Sequence, residues 1–105
     1  MAWIAQFDTQ MLRDGYTPTE AMVYGYLWRI SKRNIDNNEW VIVSPSISLM
    51  KKTLNISERA VIYAIEKLEK TGLISVERHY KSKSSYIVDN MDKYQAISNK
   101  SLLYS

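Results

Sequence analysis

The chain has 105 residues, 46% hydrophobic and 24% charged, with two prolines, three glycines, no cysteine and a formal net charge of +3. That length holds one domain, and twelve aromatics (Trp3, Trp28, Trp40, Phe7 and eight tyrosines) supply enough apolar volume for a core, which excludes wholesale disorder. The lack of cysteine excludes disulfide scaffolds, zinc ribbons and thiol nucleophiles, and a single histidine, His79, argues against an all-protein transition-metal site.

Residues 4 to 12 mix apolar and polar side chains in rough alternation, as a short strand or a loop packed on the core would, before Asp14-Gly15 breaks the pattern. The N-terminal residues Met1 to Asp8 carry no basic flank of an export signal. The longest uncharged run, residues 40 to 50, is only 11 residues and is interrupted by serines and Pro45. A cytoplasmic chain without a membrane span is the expectation.

Thr17-Pro18-Thr19-Glu20 is a helix start: Thr17 caps, Pro18 fits the first helical position, and Glu20 closes a capping box while facing the positive end of the helix dipole. The spacing predicts a first helix over residues 18 to 33, with Val23, Tyr26, Leu27 and Ile30 as its apolar stripe and Tyr24 and Trp28 beside it. Residues 34 to 39, with Asp36-Asn37-Asn38, read as a turn into a short β-branched strand over residues 40 to 43. Trp28, Trp40 and the tyrosines of the first helix are expected to pack in the core and on the strand rather than to form a base-stacking platform.

Ser44-Pro45-Ser46 starts a second helix, two to three turns long, whose buried face is Ile47, Met50 and Leu54 and which ends near Thr53. Asn55 then stands where the chain must turn, because asparagine tolerates the left-handed conformation better than any residue but glycine. Ile56 fills the turn, and Ser57 caps a third helix, residues 57 to 71, whose inner stripe is Val61, Ala64, Ile65 and Leu68. Gly72 stops it. Residues 73 to 78 and 84 to 88 alternate as two strands, with a polar, basic tip between them. Met91, Tyr94, Ile97, Leu102 and Leu103 suggest an extra C-terminal helix. A dimerisation helix, a helix docked on the same domain and the start of a linker all fit that segment, and dimerisation is favoured.

Charge is unevenly placed. Residues 1 to 50 hold four Lys/Arg against five Asp/Glu, and residues 51 to 105 hold ten against six, so the basic character begins at Lys51.

The order helix, strand, short helix, tight turn, helix, hairpin, together with Ser44-Pro45-Ser46-Ile47, Lys51-Lys52-Thr53-Leu54-Asn55 and above all ISERAVIYAIEKLEKTGLI at residues 56 to 74, resembles the winged-helix domains of bacterial plasmid replication initiators, phage replisome organisers and related regulators. The likeness covers roughly residues 15 to 90. Two positions depart from the usual pattern: Lys51 stands where such motifs carry a small residue, and Asn55 where many have glycine. The resemblance implies an α+β fold, a winged helix-turn-helix with a three-helix core and a small antiparallel sheet, over residues 1 to 90, followed by a C-terminal helix or tail over residues 91 to 105. It also implies a plasmid or phage setting, in replication-origin recognition or control of a nearby promoter.

A duplex major groove admits one α-helix, whose outer face must offer hydrogen-bonding groups while its inner face is held by packing. With the inner stripe as above, the third helix turns Glu58, Arg59, Ile62, Tyr63, Glu66, Lys67 and Lys70 outward. Arg59, near the N-terminal end, is placed to chelate a guanine. Tyr63, one turn on, is placed for a phosphate or a thymine methyl, and Lys67 and Lys70 for the backbone. Glu58 and Glu66 would repel phosphates unless paired. Ser46, Ser48 and Ser57 lie at helix starts, where free amides seat a phosphate, and Lys51 and Lys52 add charge at the far end of the second helix. The tip Arg78-His79-Tyr80-Lys81-Ser82-Lys83 carries three certain positive charges and no acid, as a wing lying on the backbone or in the minor groove requires.

Each of these features also has a plainer reading. Taken alone, the third helix is as well explained by an ordinary amphipathic helix with a solvated face, the tip by a solubilising loop, and His79 by a surface histidine with no task. The succession of capped short helix, turn, helix, Gly72 and basic hairpin is what favours DNA. The expected partners are double-stranded DNA with a repeated or palindromic site, a second copy of the chain, and replication or segregation proteins. A protein-interaction or partition-adaptor module on the same fold is the competing function. An apolar patch around Ile62 and Tyr63, or DNA binding with a flat salt dependence, would favour it. No phosphate loop, no nucleophile beside a base and no metal-spaced cluster occurs in the sequence, so neither an enzyme nor a cofactor is expected, and Asp8 and Asp14 stand isolated.

Overall fold

The computed structural model describes residues 9–38, 41–80, 82–89 and 91. Over these the chain is an α+β domain in which helices α1 (Thr9–Arg13), α2 (Pro18–Asp36), α3 (Ile47–Leu54) and α4 (Glu58–Lys70) precede an antiparallel hairpin of β1 (Ile74–Glu77) and β2 (Ser85–Val88).

The first departure from expectation is α1. Residues 9–13 form a single helical turn rather than a strand or loop, with Met11 wholly buried. Five residues are too few for a period of 2 to be told from one of 3.6. Gly15, at φ +97°, closes the turn, and the Tyr16 N–H donates to the Met11 carbonyl at 3.0 Å.

The start of α2 follows its sequence chemistry. The Thr17 hydroxyl accepts from the Glu20 N–H at 3.2 Å, and the Glu20 carboxylate accepts from the Thr17 N–H at 2.9 Å. The helix buries Ala21, Val23, Tyr24, Gly25, Tyr26, Leu27, Trp28 and Ser31, and packs against α1, α3, α4 and β2. Tyr24, Tyr26 and Trp28 are thus core residues, and the Trp28 indole N–H donates to the Met91 carbonyl at 2.9 Å. Trp40 lies outside the described residues.

The helix runs to Asp36, three residues beyond its expected end, with Lys32 paired to Asp36 one turn away. The turn is therefore confined to its last part, where Asn38 adopts φ 58°. The strand expected over residues 40–43 reduces, among the described residues, to one bridge, in which Val43 and Tyr86 exchange both backbone hydrogen bonds at 3.1 and 2.8 Å. Toward α3 the next residue that would donate is Pro45, which has no N–H, so pairing does not extend beyond the bridge on that side.

Ser46 caps α3 by accepting from the Leu49 N–H at 3.0 Å, and Ser57 caps α4 by accepting from the Ala60 N–H at 3.1 Å. Between them Asn55 sits at φ 56°, ψ 48°, the left-handed conformation that reverses the chain tightly. Ile56, partly buried, packs on the core. The inner stripe of α4, Val61, Ala64, Ile65 and Leu68, is buried, chiefly against α2. Gly72, at φ +85°, ends the helix, and the Leu73 N–H reaches back to the Leu68 carbonyl at 3.0 Å. The strands pair from Ile74 with Val88 to Glu77 with Ser85. Of the proposed C-terminal helix only Met91, packed on the core, is described; Tyr94, Ile97, Leu102 and Leu103 lie outside the described residues.

Leu68→Ala is expected to destabilise the domain by about 2–5 kcal/mol, because it opens a cavity behind α4, whereas Lys70→Ala on the opposite face stays within about 0.5 kcal/mol. Chemical denaturation of both variants checks the difference.

Candidate nucleic-acid interface

With the inner stripe of α4 against α2, a rotation of 100° per residue directs Arg59, Tyr63, Glu66 and Lys70 away from the core and sets Ile62 and Lys67 on the two flanks. Tyr63 is 59% exposed and Ile62 37%. Glu58 occupies the first turn, where its charge complements the helix dipole.

The flanks are occupied from within the protein. Lys67 is half-buried and holds its ammonium 5.7 Å from the centroid of the Tyr16 ring, while the Tyr16 hydroxyl donates to Thr71 Oγ1 at 2.7 Å. Lys67 thus leans on its own core. On the opposite flank, Arg78, at the exit of β1, makes a two-pronged pair with Glu69 in the last turn of α4: Nη1 to Oε2 at 3.0 Å and Nη2 to Oε1 at 2.9 Å. The hydrogen bonds from Arg78 hold the Glu69 carboxyl below the usual carboxylate range, opposed by desolvation and aided by the smaller effect of the guanidinium charge. Glu69 in turn raises the Arg78 guanidinium, first through the hydrogen bonds and then through its charge. Of the three charges expected to project from the hairpin, one is therefore neutralised by α4.

His79 is exposed but not without a partner. Its Nε2 lies 2.9 Å from Ser85 Oγ within the hairpin, and Ser85 Oγ lies 3.0 Å from Ser44 Oγ, so it is Ser85 that ties the hairpin to the loop before α3. Tyr80, at the tip, is 89% exposed. Lys83 is exposed as well, and Lys81 lies outside the described residues.

Three concavities join these elements. A cleft of about 390 Å³ separates Pro45, Ser46 and Ile47 from Ser82, Lys83 and Ser84. A second, of about 180 Å³, runs between α4 and the hairpin and is lined by Ile47, Ile62, Glu66, Arg78 and Ser84 among others. A shallow hollow of about 290 Å³ lies among Glu58, Arg59, Ile62 and Tyr63. Ile47, Ser84 and Tyr86 line both clefts, and Ile62 lines both the second cleft and the hollow. The start of α3, the hairpin and the outer face of α4 therefore form one continuous surface.

Of the sequence-predicted residues, this surface gathers Ser46, Glu58, Arg59, Ile62, Tyr63, Arg78 and Lys83. Ser57 is exposed at the start of α4, and Ser48 is exposed in the first turn of α3. Lys51 and Lys52 are exposed in the last turn of α3, roughly 8–9 Å of helix rise from Ser46. Lys70 closes the far end of α4. Sequence reasoning missed Tyr16, Glu69, Ser44 and Ser85, each of which acts through a partner brought to it by the tertiary fold. The burial of Tyr86 was readable, since it occupies an inward position of the alternating strand.

Among the described residues no three His, Asp or Glu side chains gather as a metal site, and no helix is long and apolar enough to cross a membrane. Comparison with protein-family models, with curated proteins and with solved structures gives no match to this chain.

The Glu69 carboxyl is expected to titrate below the usual carboxylate range, and Arg78→Ala to return it toward that range; side-chain carbon shifts followed against pH in both proteins check this. Because the folded-state value is the lower one, whatever stability the pair adds is present at neutral pH and is lost as the pH falls through the folded value.

Proposed function

We propose that this chain is a winged helix-turn-helix domain that binds duplex DNA sequence-specifically, with α4 as the recognition helix in the major groove and the hairpin as the wing against the backbone. One observation carries the reading: the start of α3, the hairpin and the outer face of α4 line a single connected surface. That is the set of elements a winged helix applies to a duplex. The exposed cations Arg59 and Lys83, on the outer face of α4 and on the hairpin, support it.

In this reading Arg59 reads a guanine edge through its two-pronged donor set, and Ile62 and Tyr63 meet thymine methyls. Lys70, Lys83 and the amides and hydroxyls at Ser46 and Ser48 meet phosphates. Two copies bind paired half-sites one helical turn, about 34 Å, or a multiple of it apart. The setting is plasmid or phage replication-origin recognition, or control of a promoter, with replication or segregation proteins as further partners and a cytoplasmic location.

A second reading is favoured by a specific observation. Ile62 and Tyr63 are exposed side by side around an open hollow. A protein-docking winged helix or partition adaptor would use that patch for an apolar partner surface.

Selection from random duplexes at two salt concentrations separates the two readings. A steep salt dependence with an enriched repeated motif supports DNA recognition, and no retention at low salt leaves the docking module. With the selected site in hand, Arg59→Ala is expected to lose about 1–3 kcal/mol of discrimination at one base pair while the fold stays intact. Lys83→Ala is expected to weaken all duplexes alike and to reduce the salt slope by about one. An unchanged footprint for Arg59→Ala would remove it as a base reader.

A further inference from the structure

The base of the hairpin is held by the burial of Ile74, Tyr86 and Val88 in the core, and two polar contacts add to that hold toward its tip. On the α3 side, His79, Ser85 and Ser44 form a chain of contacts at 2.9 and 3.0 Å, next to the backbone bridge between Val43 and Tyr86. On the α4 side, the hold near the tip is the Arg78–Glu69 pair. Arg78, the first residue after β1, lines the cleft between the hairpin and the recognition helix, and Glu69 lies in the last turn of α4, so the pair joins the hairpin to that helix.

The pair is too exposed to serve stability. The Arg78 and Glu69 side chains are 58% and 35% exposed, and an ion pair in that setting adds little to folding. What it does set is geometry. Core packing and the short connection from Lys70 to Ile74 set the distance between α4 and the start of β1, and a guanidinium bonded through both Nη atoms to one carboxylate restrains where the far end of β1 lies over α4. It also sets charge, because the Glu69 carboxylate offsets the guanidinium and takes two of its five N–H donors.

We propose that Glu69 and Arg78 form a positioning latch that sets the angle of the hairpin to the recognition helix, so that Arg78 aims the wing at the duplex without itself contacting phosphate. This rests on the DNA-binding reading and divides the basic tip into a structural half, Arg78 and His79, and a phosphate-facing half that includes Lys83.

The latch and a phosphate-contacting Arg78 predict opposite signs for one conservative substitution. If Arg78 served phosphate, Glu69→Gln would release it, remove a negative charge near the duplex and tighten binding. If the pair is a latch, Glu69→Gln frees the hairpin and weakens binding. The test uses the full chain, the duplex selected by the unmodified protein, and fluorescence anisotropy between about 50 and 200 mM salt.

The latch predicts that Arg78→Ala and Glu69→Gln each weaken binding by roughly five- to tenfold with the salt slope unchanged. The double variant is then no worse than either single one, because the two residues act as a unit. The exchanged pair, Glu69→Arg with Arg78→Glu, recovers most of the affinity, and thermal unfolding of all variants stays close to that of the unmodified chain. A salt slope lowered by about one in Arg78→Ala, together with tighter binding by Glu69→Gln, would overturn the latch and make Arg78 a phosphate contact. If the unmodified chain retains no duplex, the DNA-binding reading falls and the latch with it. Binding by the unmodified chain with those altered slopes sinks the latch alone.

Discussion

The arrangement depends on the burial of one stripe, Val61, Ala64, Ile65 and Leu68, against α2. A helix of 13 residues is marginal by itself in water, so α4 exists because this stripe leaves solvent. The same burial fixes its rotation. Once four positions are committed inward, the angle of every other side chain on α4 follows, and Arg59, Tyr63, Glu66 and Lys70 have nowhere to face but outward. The long helix α2 provides the other half of the contact. It is buried over much of its circumference because α1, α3, α4 and β2 all pack on it, and its start is secured by the reciprocal bonds of Thr17 and Glu20.

What could be read from the sequence was what acts over a few residues. The caps at Thr17, Ser46 and Ser57 each bond an amide three residues on, and Asn55 and Gly72 each solve a local problem of backbone conformation, so these starts and stops were visible without the fold. The face of α4 was visible as well, since periodicity alone assigns it. Opaque features were those whose partner is distant. The strand expected at residues 40–43 depended on where Tyr86 would offer it a partner, and α1 was too short to carry a period of either kind.

The same division runs through the candidate site. That Arg59 and Tyr63 face outward is a consequence of helix geometry. That Lys67 lies over Tyr16 and that Arg78 forks onto Glu69 are consequences of how α4 meets the segment before α2 and the hairpin, and that His79 reaches Ser85 follows from the pairing of the hairpin itself. Each of these three residues looked like a surface charge or a surface imidazole in the sequence. Counting basic residues therefore overstated the charge that the surface offers, because charge is neutralised or withdrawn by tertiary contacts that composition does not reveal.

The resulting distribution has a physical consequence for the proposed complex. Along the outer face of α4 the cations stand at the two ends, Arg59 in the first turn and Lys70 in the last, with Ile62, Tyr63 and Glu66 between them. Eleven residues of helix rise separate Arg59 from Lys70 by about 16 Å, more than the width of the major groove at about 12 Å, so a helix that enters the groove at an angle with its N-terminal end foremost carries Lys70 to the edge. When Arg59 reaches base edges in the groove, Lys70 then falls at or beyond its rim, where phosphates lie, and the middle of the helix meets the bases with apolar surface and one acid. Such a face draws little of its affinity from counterion release on α4 itself. The non-specific part of binding then falls to the hairpin and to the start of α3, and discrimination between sequences falls to Arg59, to methyl contacts and to the fit of the helix in the groove. The angle between hairpin and helix thus becomes the variable that decides whether both contributions are made at once.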